Sequence, residues 1–86
     1  MKLYLGGITM AVSYKKLWHI LLDRNLLKKD LEKLAGISSS SITKLGRDEY
    51  VNLEILQKVC TALQCDITEI MEMGPDDPTT LKNNVN

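Results

Sequence analysis

The chain has 86 residues, 44% of them hydrophobic and 26% charged, with 11 Lys and Arg against 11 Asp and Glu. That length suits one small domain with a modest core, and the balance of apolar and charged residues excludes disorder along the whole chain. No apolar run approaches the ~20 residues of a membrane span, and the opening MKLYLGGIT has one lysine and too short an apolar run for a secretory signal. Two cysteines, Cys60 and Cys65, are too few to staple a disulfide miniprotein. The simplest expectation is a cytoplasmic protein with reduced thiols and no membrane partner.

The neutral total hides an asymmetry. Residues 1–47 carry nine basic and three acidic side chains, whereas residues 48–86 carry two and eight. A chain divided in this way can present a basic face to a polyanion, or simply carry an acidic, solubilising end.

Residues 1–12, with Gly6, Gly7 and a second methionine at Met10, read as a leader or added remnant without a role. Only its KLYLG stretch alternates like a strand. Ser13 is expected to cap a first helix of about three turns. At ~100° per residue, Tyr14, Leu17, Trp18, Leu21, Leu22 and Asn25 share its apolar face, while Lys15, Lys16, His19 and Asp23 lie opposite.

A second helix is predicted over Lys28 to Ala35, with Leu27, Leu31, Leu34 and Ala35 as its stripe and Gly36 as its stop. Ser38 then caps a third, from Ser39 to Leu45, whose inward side holds Ile42 and Leu45. Asn52 caps a fourth, along which Leu53, Leu56, Val59, Cys60 and Leu63 recur at helical steps. A fifth short helix starts at Asp66, with Glu69 at capping-box spacing and Ile67, Ile70 and Met71 facing the core. From Gly74 onward, GPDDPTTLKNNVN has two prolines and little that is apolar, so residues 74–86 are expected to form a disordered tail. The expected fold is all-α, with five short helices in a domain spanning residues 13–73. Its thin core makes homodimerisation a natural supplement.

The stretch from Lys28 to Asp48, KKDLEKLAGISSSSITKLGRD, carries the function. It reads as helix, glycine-containing turn, helix. Ser39, Ser40, Thr43 and Lys44 make one polar arc on the second helix, and a major groove about 12 Å wide admits such a helix.

AGIS, followed by Ile42 and Leu45, resembles the helix-turn-helix of the Cro and phage-repressor (XRE) family. The preceding helix and LEILQKVCTALQCDITEIM after it resemble that family's five-helix, lambda-repressor-like domain. The resemblance implies a DNA-binding transcriptional regulator, typically a homodimeric repressor of bacterial or phage type acting on two-fold symmetric operators. It implies base contacts from Ser39, Ser40 and Lys44, with Thr43 on the same arc. Phosphate contacts would come from Lys28, from Arg47 and from the backbone amides of Val51 and Asn52.

The chain departs from the family at Glu32, where a small residue is usual, and at Asp48 and Glu49, where the loop is usually basic. Two carboxylates near the phosphate path would oppose binding locally. They favour an alternative reading: a protein-interaction module of this fold, antitoxin-like or an adaptor, without operator recognition. A thiol-responsive regulator using Cys60 and Cys65 is a third reading, with only Lys58 nearby to lower a thiol pKa. No nucleophile–base constellation, Gly-rich phosphate loop or metal-ligand spacing occurs. An enzyme, a cofactor, a bound metal and a small-molecule substrate are therefore not expected.

Overall fold

The computed structural model describes residues 9–75. In chain order they form strand β1 (Met10–Ser13), helices α1 (Lys15–Asp23), α2 (Lys28–Ala35), α3 (Ser39–Gly46) and α4 (Leu53–Leu63), a single 3-10 turn (Ile67–Glu69) and strand β2 (Glu72–Pro75). β1 and β2 pair antiparallel, with Met10 opposite Pro75 and Ser13 opposite Glu72.

The expectation of an all-α domain with five helices is corrected to four helices and a small two-stranded sheet. The fifth helix is only a 3-10 turn, although its capping box forms as expected. The Asp66 N–H donates to Glu69 Oε1 at 2.7 Å, and Asp66 Oδ2 accepts the Thr68 N–H at 3.4 Å, with the Thr68 hydroxyl donating to the same oxygen at 2.6 Å. The chain enters β2 at Glu72, which leaves too few residues to extend an α-helical ladder. Residues 10–12, assigned to the leader, form most of β1, and Gly74 and Pro75, assigned to the tail, complete β2. The KLYLG stretch and residues 76–86 of the expected tail lie outside the described residues.

Strand pairing also moves the start of α1. Ser13 is held extended opposite Glu72, so the cap position falls to Tyr14, which makes no side-chain cap bond. Ser13 Oγ still accepts the Lys15 N–H at 3.3 Å. The other predicted caps form: Ser38 Oγ accepts the Ser41 N–H at 3.2 Å, and Asn52 Oδ1 accepts the Ile55 N–H at 2.9 Å.

The core gathers Tyr14, Leu17 and Leu21 from α1, Leu31 from α2, Ile42 and Leu45 from α3, Leu56, Val59 and Leu63 from α4, and Ile70 after the turn. Val12 of β1 and Ile37 of the α2–α3 turn join them. Four leucines expected on apolar stripes are instead exposed: Leu22, Leu27, Leu34 and Leu53. Leu27 is the N-cap residue of α2 and Leu53 the first residue of α4, so both stand at the very ends of their stripes. α2 packs on both α3 and α4 through the narrow line of Leu31, so Leu34 falls outside it. No described helix is long and apolar enough to cross a membrane.

Candidate nucleic-acid interface

The turn between α2 and α3 depends on one backbone conformation. Gly36 has φ +68°, the left-handed region that favours glycine, and a Cβ there would meet nothing within 4 Å. The requirement is therefore conformational rather than one of space. The Gly36 and Ile37 N–H groups both donate to the Glu32 carbonyl, at 3.0 and 3.2 Å, which closes α2. Ile37 then enters the core and Ser38 opens α3.

α3 is seated by Ile42 and Leu45, at 7% and 0% exposure. On its other side Ser39, Ser40, Thr43 and Lys44 are all exposed, so the structure brings the four predicted base-contact residues onto one outward face. Their hydroxyls are partly committed locally. The Thr43 hydroxyl donates to the Ser39 carbonyl at 3.0 Å, and Ser40 Oγ lies 3.0 Å from Ser38 Oγ. Among the described residues, the Ser39 hydroxyl and Lys44 ammonium have no such partner.

Lys28 opens α2, and its ammonium lies 4.7 Å from the centroid of the Trp18 ring. A Cβ on Gly46 would stand 3.5 Å from the same nitrogen. The start of α2 thus places a cation beside the end of α3. Trp18, expected in the core, is only partly buried and forms the floor beneath that cation. Arg47 follows on the surface at the end of α3, and its guanidinium is 3.8 Å from the Glu49 carboxylate, with both side chains well exposed. Such a pair contributes only about 0–1 kcal/mol and opens readily.

Sequence reasoning missed the role of Asp48. Its carboxylate does not project toward solvent alone: Oδ1 accepts the Tyr14 N–H at 3.0 Å, at the start of α1. The Tyr14 hydroxyl donates to the Glu49 carbonyl at 2.9 Å. Burial pushes the Tyr14 phenol up, the Asp48 charge adds to this, and the nearby Val51 N–H opposes it. Asn52 is exposed, with its side-chain oxygen committed to capping α4. The signal for Asp48 was its place two residues past Gly46, the last residue of α3, where Asp tolerates a left-handed backbone; its φ is 56°.

Cys60 and Cys65 are free and partly buried at the end of α4, where the Cys65 N–H donates to the Cys60 carbonyl at 3.1 Å. Burial pushes both thiols up. For Cys60 the neighbouring Cys65 comes next, and for Cys65 the Glu69 charge. Among the described residues no three His, Cys, Asp or Glu gather as a metal site.

A glycine-hinged pair of helices, the second seated by two apolar residues and polar outward, defines a helix-turn-helix unit. A family model for the Cro/C1-type HTH DNA-binding domain matches residues 16–76. The chain is also similar to the crystal structure of the transcriptional regulator VanUg (form II), with a TM-score of 0.75 and 42% identity over 88% of this chain and 99% of that one. No curated protein matches. The chain belongs to the Cro/C1-type helix-turn-helix family and is a DNA-binding transcriptional regulator.

Proposed function

We propose that the protein is a non-enzymatic, homodimeric repressor that reads a specific operator through the outer face of α3. In this reading Ser39, Ser40, Thr43 and Lys44 touch base edges in the major groove. Lys28, Arg47 and the Val51 and Asn52 backbone hold phosphates on either side. One observation carries it: Ile42 and Leu45 fix α3 from within, while its four outward residues are polar and exposed. Repression follows the habit of the family. A second copy would match a two-fold operator and supplement a small core that leaves Leu22, Leu34 and Leu53 in water. A cytoplasmic location suits a DNA-binding protein with two free thiols.

The interaction-module reading draws its support from Asp48, Glu49 and the neutral overall charge. Asp48 is engaged with the Tyr14 N–H and Glu49 lies beside Arg47, so both carboxylates have local structural roles while their charges still oppose a phosphate nearby.

The test is selection of preferred sequences from a random DNA pool at two salt concentrations, with sedimentation of the complex. The reading expects a palindromic consensus, two chains per duplex and an affinity that falls steeply with salt. Recovery of no preferred sequence would overturn it.

A further inference from the structure

We propose that Trp18 is a positioning residue for DNA binding: its ring holds the Lys28 ammonium where a phosphate oxygen can meet it. The inference rests on the DNA-binding reading above and extends it to a side chain outside the helix-turn-helix. Lys28 is the first residue of α2, where the positive end of the helix dipole repels a cation. A lysine stem is also flexible, and ordering it opposes any contact it makes. The structure counters both effects with the indole face 4.7 Å from Nζ, inside the range over which a ring attracts an ammonium. The ring itself is steadied by α1, whose Leu17 and Leu21 on either side of it in sequence are buried.

The ring also sets direction. The ammonium is brought to within 3.5 Å of where a Cβ on Gly46 would stand, so it lies next to the end of α3 and one residue from Arg47. Lys28 remains exposed, and an ammonium with one side on a ring still offers N–H groups to an anion. Trp18 thereby ties the first helix to the phosphate path without touching DNA itself.

The experiment measures binding of the full chain to a mixed-sequence duplex across a range of salt. It compares wild type, Lys28→Ala, Trp18→Leu, Trp18→Phe and the double variant Trp18→Leu/Lys28→Ala. Lys28→Ala should weaken binding and lower the salt slope by about one ion. Trp18→Leu should weaken binding about two- to fivefold, the weight of an exposed cation–π pair, with the slope kept because the charge remains. It should have no further effect once Lys28 is alanine, and Trp18→Phe should recover most of the loss. Since Trp18 is the single tryptophan, its fluorescence gives a readout that needs no substitution of the ring. Emission should change on DNA addition in the wild type and not in Lys28→Ala.

An equal loss from Trp18→Leu in both backgrounds, or none in either, would overturn the positioning role and leave the DNA reading standing. Unchanged emission in the wild type on saturation with duplex would do the same. Failure of the wild type to bind the duplex at low salt would overturn both.

Discussion

The Tyr14 N–H and the Asp48 carboxylate, 34 residues apart, form a 3.0 Å hydrogen bond that joins the start of α1 to the segment just beyond α3. The Tyr14 hydroxyl reaches the next residue, Glu49, through its carbonyl. The segment just beyond α3 is thus pinned to the body from two directions by a single residue.

Asp48→Ala should therefore destabilise the domain by about 1–3 kcal/mol, combining the loss of a cap with an alanine forced into a left-handed backbone. Asp48→Asn, which keeps an acceptor oxygen and tolerates φ 56°, should lose much less. Denaturant midpoints at constant slope measure both. Equal midpoints for wild type and Asp48→Ala would show that the hydrogen bond does not matter.

The two carboxylates should differ in their influence on DNA. Glu49 lies on the surface beside Arg47, while Asp48 is committed to Tyr14. Glu49→Gln should raise affinity more than Asp48→Asn because it also releases Arg47, and its stability should change by less than about 1 kcal/mol. Binding titrations at low salt rank the two. The reverse order would place Asp48, rather than Glu49, nearest the phosphates.

Leu45 is fully buried on the inner side of α3. Leu45→Ala should lose about 2–5 kcal/mol, a large part of the roughly 3–10 kcal/mol expected for a domain of this size. Thermal unfolding should show a strongly lowered midpoint or no transition. A shift of only a degree or two would mean that α3 is not seated as described.

Stability should decline on the alkaline side. In the folded state Cys60 and Cys65 lose their protons above the ordinary 9.0, and Tyr14 above 10.0, with burial the main cause in each. The unfolded chain gives up those protons first. The stability they contribute is present below these ordinary values and is lost as pH rises through the raised ones. Replacing both cysteines by alanine should flatten the first part of that decline, in urea titrations from pH 8 upward. The raised thiols should also alkylate slowly at neutral pH, which argues against the thiol-responsive reading. Asp66 has the opposite sign. The Thr68 hydroxyl, and then the Thr68 N–H, hold its carboxyl below the ordinary 3.8, so its contribution is complete above that ordinary value and is lost as pH falls through the lowered one.

What was legible in the chain was whatever is decided by near neighbours. Ser38 and Asn52 cap helices three residues away, Gly36 supplies a left-handed stop, and Ile42 and Leu45 face inward while Lys44 faces out. Hydrophobic period and cap chemistry act over one turn, so they can be read from a window of sequence. The sheet could not be read in this way. Val12 meets Met73 across more than sixty residues, and two four-residue strands leave no alternation long enough to detect. The partners of Asp48 and Lys28 were hidden for the same reason. Tyr14 caps α1 and Trp18 lies within it, and only the placing of α1 beside the start of α2 and the segment after α3 brings them near.

Lys44→Ala offers the most direct test of the outward face of α3, because its side chain is exposed and makes no hydrogen bond or ion pair among the described residues. Its binding to the duplex selected by the wild type should fall by roughly 5- to 150-fold, the weight of about 1–3 kcal/mol for a direct base contact, with the melting temperature unmoved. Wild-type affinity in a correctly folded Lys44→Ala protein would contradict the account.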